Sequence, residues 1–393
     1  MSRHLFDCSR VSTDNSCARR RYLQYHFGGR GITSTGISFP RRIGGIIHDV
    51  VEAMFQEDDW EKVMTGHLGR FAAEMHEGRV DPHPPPRQIE GVGRLEARGD
   101  AYLAYAQTEQ LSLVEGMLRG FHRYRVPRIL DEFPEVFGVE VETTVDLGDG
   151  IEFMVKPDLL LLSKDGRVHY REHKTTAWNK PEWVNSWFKA PQLHVYAAAL
   201  QRTGIEIDTM VIEGMYKGFF NKRAKQPKQE SILIYGYRRK GVAPHYQDDW
   251  SYTYQRGYYK TPVWDQPGGV KAWVAKMPDG VLGEQFLTTP PITPNPTIGE
   301  TWLRQRKLRE KAIAKAMREL KVRAPDGISA KLLMDVVFPQ NFEQCTPSFG
   351  SWCSYVDICH GAEDLDPLEG EFELRVPHHA PEAEMLEKEE EDD

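Results

Sequence analysis

The chain has 393 residues, 40% hydrophobic and 27% charged, with 50 basic and 58 acidic side chains and a formal charge of −8, the balance of a soluble globular protein. No apolar run approaches the ~18 residues of a membrane helix, and the polar, Arg-rich stretch from Met1 to Arg21 has no secretory core, so neither a transmembrane helix nor a secretory signal is expected. Five cysteines, few and odd in number, argue against a disulfide framework and for a reducing cytoplasm.

The charge is uneven. From Glu363 to Asp393 there are 14 acidic and 2 basic residues, a net of −12, which leaves +4 on the other 362. A mildly basic body can hold a phosphate-binding groove. The last residues, 387–393, are almost all acidic and read as disordered. Such a tail is a solubilising extension, a nucleic-acid mimic that competes for the groove, or a contact for a protein partner.

Residues 16–27 read as a short helix with Arg19, Arg20, Arg21, Tyr22 and Tyr25, followed by a Gly-rich break over 28–36. Over 43–56, Ile43, Ile47, Val50, Val51 and Met54 recur at helical spacing. Further helices fit 60–77 and, beyond a Pro-rich break, 91–133 with an interruption near Gly116. After Pro134 the period becomes two: Val139, Val141, Thr143 and Val145 alternate with Glu140, Glu142 and Thr144, a half-buried strand. Residues 151–162 form a denser apolar run that suits a central strand. The turn Lys164-Asp165-Gly166 joins it to 168–174 as a hairpin. A helix over 191–202 and strands over 209–216 and 231–238 complete a mixed α/β core. Residues 242–300 are aromatic- and Pro-rich and read as an irregular insertion; 301–322 read as a basic helix. The expected divisions are an N-terminal segment 1–36, a helical region 37–133, a core 134–241, the insertion 242–300, a basic and Cys-rich segment 301–362, and the tail 363–393.

One constellation carries chemistry. Pro157-Asp158 interrupts the apolar run, and thirteen residues separate Asp158 from Glu172-His173-Lys174. Glu172 and Lys174, two apart on a strand, share a face. A hairpin can bring Asp158 beside them. Two carboxylates suit Mg²⁺ or Mn²⁺, the His173 carbonyl offers a third oxygen, and Lys174 can orient water or stabilise developing charge. An isolated Glu-x-Lys is ordinarily a solvated strand face. Glu140 and Glu142 share the other face of the preceding strand, as an extra acid or as exposed charge.

Pro157, Asp158, Glu172 and Lys174 resemble the motif of the PD-(D/E)XK nuclease superfamily. Gln192 and Tyr196, one turn apart on a helix, and His48 in a helical segment resemble its RecB/AddB-like branch, which includes CRISPR-associated and phage nucleases. The resemblance implies a restriction-endonuclease-like mixed sheet flanked by helices, and a metal-dependent DNA nuclease, RecB-like, acting on ends or single strands. It also implies His48 as a metal ligand and Gln192 and Tyr196 on the substrate side. A catalytically silent nucleic-acid-binding or recruitment subunit would keep the same fold, although no metal-site residue is missing here.

Cys17 near the N-terminus and Cys345, Cys353 and Cys359 near the other end resemble the iron–sulfur staple of AddB-like and exonuclease-V-like members, which implies a 4Fe–4S cluster. The C-x-x-C pair usual in that trio is missing here. A Zn²⁺ site or buried small apolar residues are the other readings of these thiols. The cluster Lys217, Lys222, Arg223, Lys225 and Lys228, with Phe219 and Phe220 interleaved, fits phosphate contact and base stacking, or a solvated hairpin. Tyr252, Tyr254, Tyr258 and Tyr259 form either a stacking platform or strand packing.

Overall fold

The computed structural model describes residues 3–35, 39–56, 58–78, 88–89, 93–94, 100–176, 180–188, 190–217, 231–239, 258–323, 327–345, 353–360, 372–377 and 379–392. Strand β1 (His4–Phe6) leads into α1 (Cys8–Ser16), α2 (Ala18–Tyr25) and β2 (Ile32–Ser34). A helical stretch follows: α3 (Phe39–Phe55), α4 (Trp60–His76), the short hairpin β3 (Gln88–Ile89) and β4 (Gly93–Arg94), α5 (Asp100–Tyr124) and α6 (Val126–Glu132). Next come β5 (Glu135–Val139), β6 (Thr143–Asp146), β7 (Ile151–Val155), β8 (Leu159–Leu162), β9 (Val168–Thr176), α7 (Lys180–Trp187), α8 (Pro191–Arg202) and β10 (Ile207–Tyr216). The remainder holds β11 (Tyr235–Arg239), β12 (Tyr258–Pro262), α9 (Gly269–Lys276), α10 (Asp279–Gly283), β13 (Phe286–Thr288), α11 (Pro296–Arg323), α12 (Gly327–Val337), α13 (Val356–His360), β14 (Phe372–Leu374) and α14 (Ala380–Asp392).

The central sheet runs β13-β10-β9-β8-β5. Strands β8 and β9 form an antiparallel hairpin whose turn needs Gly166 at φ +79°. Strands β9 and β10 are parallel, so the chain between them crosses over through α7 and α8. Side chains of β9 alternate between two cores. His173 faces one, where Ile43, Val50, Leu113, Phe121 and Trp273 of α3, α5 and α9 are buried. Tyr170 faces the other, with Phe153, Leu193, Leu200 and Leu303 from β7, α8 and α11. Each such fully buried side chain contributes about 1.5–3 kcal/mol. Helix α11 lies close on α8 because residue 299 is glycine: a Cβ there would stand 2.4 Å from the His194 carbonyl oxygen.

The two ends of the chain are joined. β1 pairs parallel with β7, and β14 pairs antiparallel with β2. The fully buried Arg21 makes a two-pronged ion pair with the fully buried Glu310 on α11, at 2.8 and 2.5 Å. No described helix is long and apolar enough to cross a membrane.

Several expected elements differ. The run 151–162 is two strands, β7 and β8, in different sheets, parted at Lys156-Pro157-Asp158. Proline supplies no N–H for a ladder, which ends the pairing there. The strand expected over 139–145 breaks at Glu140, whose φ is +50°, a left-handed conformation uncommon for glutamate. The helix expected over 16–27 is α2, and it is preceded by a helix the sequence reading did not expect, α1, which it meets at Cys17. The long helix stops at Arg125, where Pro127 opens α6, and continues through Gly116, which instead admits Leu233. The stretch read as irregular insertion holds β12, α9, α10 and β13; β13 is an edge of the central sheet and α9 buries Val270 and Trp273. These elements are too short for their periodicity to register. Residues 242–257 lie outside the described residues. The acidic tail is ordered where residues 372–374 pair with β2 and residues 380–392 form α14. Buried Glu382 holds it through ion pairs with Arg10 and Arg375.

Candidate active site

Four pieces of chain converge at one end of the β8–β9 hairpin. Asp158 stands in the break before β8, where its carbonyl accepts the Glu140 amide at 3.0 Å. Its Oδ2 accepts the His173 backbone N–H at 2.6 Å, and its Oδ1 lies 3.5 Å from Nδ1 of His48 on α3. Glu140 Oε1 is 3.6 Å from the same nitrogen, while Oε2 pairs with Lys156 at 2.9 Å. Among the described residues, His48, Glu140 and Asp158 are the one group of three metal-ligating side chains whose donor atoms lie within 4.8 Å of one another. Next to them, Glu172 Oε1 pairs with Lys174 and accepts from Gln192 at 3.3 Å. Glu172 Oε2 is buried without a hydrogen-bond partner among the described residues.

The electrostatics are those of an anionic cluster out of water. Burial, reinforced by the charge of Glu172, pushes Asp158 up to about 7, against the pull of His48 and Lys174. Burial lowers Lys174, but Glu172 and Asp158 outweigh it and raise its pKa, so the ammonium is held protonated. His48 is likewise raised: burial opposes its charge, and Asp158 and Glu140 favour it. Burial would raise Glu140, yet its bonds to His48 and Lys156 lower it. Crowded carboxylate oxygens, one of them unpartnered, together with an imidazole, are a donor set that fits a hard divalent cation.

A family model described as the PD-(D/E)XK nuclease superfamily matches residues 6–360. The chain belongs to that superfamily. Membership points to metal-dependent phosphodiester hydrolysis, with DNA as the substrate class. No curated protein matches the chain.

In this PD-(D/E)XK protein the residues expected from sequence divide clearly. Asp158, Glu172, Lys174, Gln192 and His48 come together as described. Tyr196 lies one turn beyond Gln192, and with Lys174 the two form the back of a cavity of about 460 Å³. Burial, aided by Cys8 and Glu172, raises its phenol well above the ordinary value, so it stays protonated. For His173 the expectation concerned its backbone carbonyl. Its backbone N–H donates to Asp158, and its ring is buried against Phe55 and Phe121 on the opposite face of the sheet. Burial drives that imidazole well below its usual value. Of the two candidate extra acids, Glu140 joins the cluster, while Glu142 turns to the His379 ring and accepts the Ala380 amide at 3.0 Å. Lys217 follows β10, half-buried, with its ammonium pushed down by burial. Lys222, Arg223, Lys225, Lys228, Phe219 and Phe220 lie outside the described residues, as do Tyr252 and Tyr254. Tyr258 and Tyr259 belong to β12, paired with β11.

Cys17, at the α1–α2 junction, and Cys345, Cys353 and Cys359 are drawn to one region. The Asn341 side chain donates to the Ser16 carbonyl at 2.8 Å, and the Cys353 amide to the Cys345 carbonyl at 3.1 Å. Burial raises the Cys345 thiol, with smaller contributions from Cys353 and Cys17; burial also raises Cys359, with Cys17 and Cys345 adding to it. Cys8 stands apart beside Tyr196 and Glu172, and burial pushes its thiol far up. The sequence reading missed Lys156 and the α1 face near Lys174; only the position of Lys156 beside Pro157-Asp158 hinted at its role.

Proposed function

We propose that this protein is a Mg²⁺- or Mn²⁺-dependent, RecB-like deoxyribonuclease that hydrolyses single strands or strand ends. The convergence of His48, Glu140 and Asp158 beside the Glu172–Lys174 pair carries this reading. His48, Glu140, Asp158 and Glu172 are the residues that would hold the ion. A divalent ion bound there supplies charge neutralisation at the phosphate and a lowered pKa for water. Lys174, fixed as a cation by Glu172, orients the attacking water and meets the charge that develops on the non-bridging oxygens. Gln192 holds Glu172 in place, and the protonated Tyr196 offers a hydrogen bond to the substrate strand.

The test is a cleavage assay on 5′-labelled DNA. Linear single strands, linear duplex and circular single strands are each incubated with Mg²⁺, Mn²⁺ or chelator. Shortening of linear single strands with metal, and resistance of circles, is expected. Metal-independent products, or none from any substrate, would overturn the assignment.

For the thiols, a 4Fe–4S cluster held by Cys17, Cys345, Cys353 and Cys359 is the second part of this reading. It is supported by their convergence from both ends of the chain. Zn²⁺ with four thiolates at about 2.3 Å draws them closer together than about 4 Å; among the described residues no three thiols lie within 4.8 Å of one another. Anaerobically purified protein should be brown and contain iron and acid-labile sulfide in equal amounts. Colourless protein with one zinc per chain would replace the cluster with zinc.

A further inference from the structure

The cavity of about 460 Å³ beside Lys174 has a second wall that the catalytic cluster does not use. It is formed by α1 and by Gln24 and Arg41. Ser9, Ser12 and Thr13, at spacings of three and four, share one face of α1 and line the cavity. Ser9 and Ser12 are exposed, and the Thr13 hydroxyl donates to the Ser9 carbonyl at 3.0 Å, which fixes that turn. Gln24 donates to the Tyr25 hydroxyl at 3.1 Å, while its buried Oε1 has no hydrogen-bond partner among the described residues. The lining contains two cations, Arg41 and Lys174, and no carboxylate, although Asp158 and Glu172 lie just behind Lys174.

We propose that this wall is a positioning subsite for the nucleotide that flanks the scissile phosphate. Arg41 and the hydroxyls of Ser9 and Ser12 take a phosphate of the strand, and the Gln24 amide meets the sugar or base edge. Its size decides the form of the ligand. A volume of about 460 Å³ is that of a site for one small molecule, which suits a single unpaired nucleotide. The lining decides its charge, because a wall of cations and donors with no acid favours an anion. This inference rests on the nuclease reading for the location of the scissile bond, and concerns residues outside the catalytic cluster.

Binding is measured apart from cleavage, in chelator, by fluorescence anisotropy of a labelled oligothymidylate single strand over a range of salt. Arg41→Gln is expected to weaken binding about tenfold and to flatten the salt dependence of log K by about 0.7, the contribution of one single-strand phosphate contact. Arg41→Lys should restore most of the affinity, and the Ser9→Ala/Ser12→Ala double variant should weaken binding several-fold with an unchanged melting temperature. Unaltered affinity and slope in Arg41→Gln, or no binding by the unsubstituted protein, overturns the subsite. Cleavage with Mn²⁺ is scored separately. A protein that cuts while Arg41→Gln binds normally loses the subsite alone, and one that binds with the expected slopes but never cuts keeps the subsite and loses the nuclease assignment.

Discussion

The backbone N–H of His173 donates to Oδ2 of Asp158 at 2.6 Å, while Oδ1 of the same carboxylate faces His48 at 3.5 Å. One oxygen is thereby committed to holding the hairpin's strand and the other is left for the ion. An Asp158→Asn variant keeps an acceptor for that amide and loses the charge. Cleavage should drop by at least about 10²-fold, the scale of one removed electrostatic partner, with no loss of melting temperature. Lys174→Ala should give the same loss of cleavage. Gel-based turnover with differential scanning fluorimetry checks both; a fully active Asp158→Asn would refute the ligand role.

Metal binding should be visible without substrate. The carboxylates repel one another in the ion-free protein, so an ion that binds only the folded state stabilises it, by about 2.7 kcal/mol at a hundredfold excess over its Kd. Mn²⁺ or Mg²⁺ should raise the melting temperature by several degrees. Glu140→Gln and Asp158→Asn should blunt the rise. Equal shifts in all three proteins would mean that the ion binds elsewhere.

Glu310 gives an acid limit to stability. Burial would raise its pKa, but the charge of Arg21 and hydrogen bonds from His4 and Arg21 hold it at about 2. A depressed carboxylate contributes stability that is whole above about 4.5 and is lost as pH falls toward 2. Chemical denaturation between pH 5 and 2 should show this decline. Glu310→Ala leaves Arg21 buried without its partner and should cost about 3–5 kcal/mol at pH 7.

The tail has the opposite sign. Burial lowers His379, but hydrogen bonding to Asp7 and the charges of Asp7 and Glu142 raise it above 6.5. Its contribution is complete below pH 6.5 and disappears as pH rises through the folded value. His379→Gln should therefore lower stability at pH 6 and much less at pH 9. Urea midpoints at the two pH values decide it; parallel curves for the two proteins would show that His379 carries no charge in the fold.

β9, α3 and α8 were legible because they are long enough to show their period. Pro191 and Arg202 mark the ends of α8 in the sequence and in the fold alike. The motif residues were legible because a lone Asp in an apolar run is conspicuous. Glu140 was ambiguous because the alternation of Val139, Val141 and Val145 hid its left-handed backbone, a feature set by the β5–β8 junction and not by local propensity. Arg41 and the α1 serines left no signal, since ordinary hydroxyls and an arginine gain meaning only when tertiary contacts set them opposite Lys174. The tail was misjudged because its acids look solvated one by one, whereas Glu382 finds Arg10 and Arg375 from remote parts of the chain.

The joining of the two ends sets a clock on synthesis. Arg21 finds Glu310 only after 289 further residues have left the ribosome, roughly 15–60 s at ordinary translation rates. During that interval Arg21 lacks Glu310, and α1 lacks α11 and α14, whose Arg309 and Glu382 pair with its Asp14 and Arg10. The full set of ion pairs that braces α1, on the far side of the cavity from Lys174, therefore cannot form until α14 has been translated.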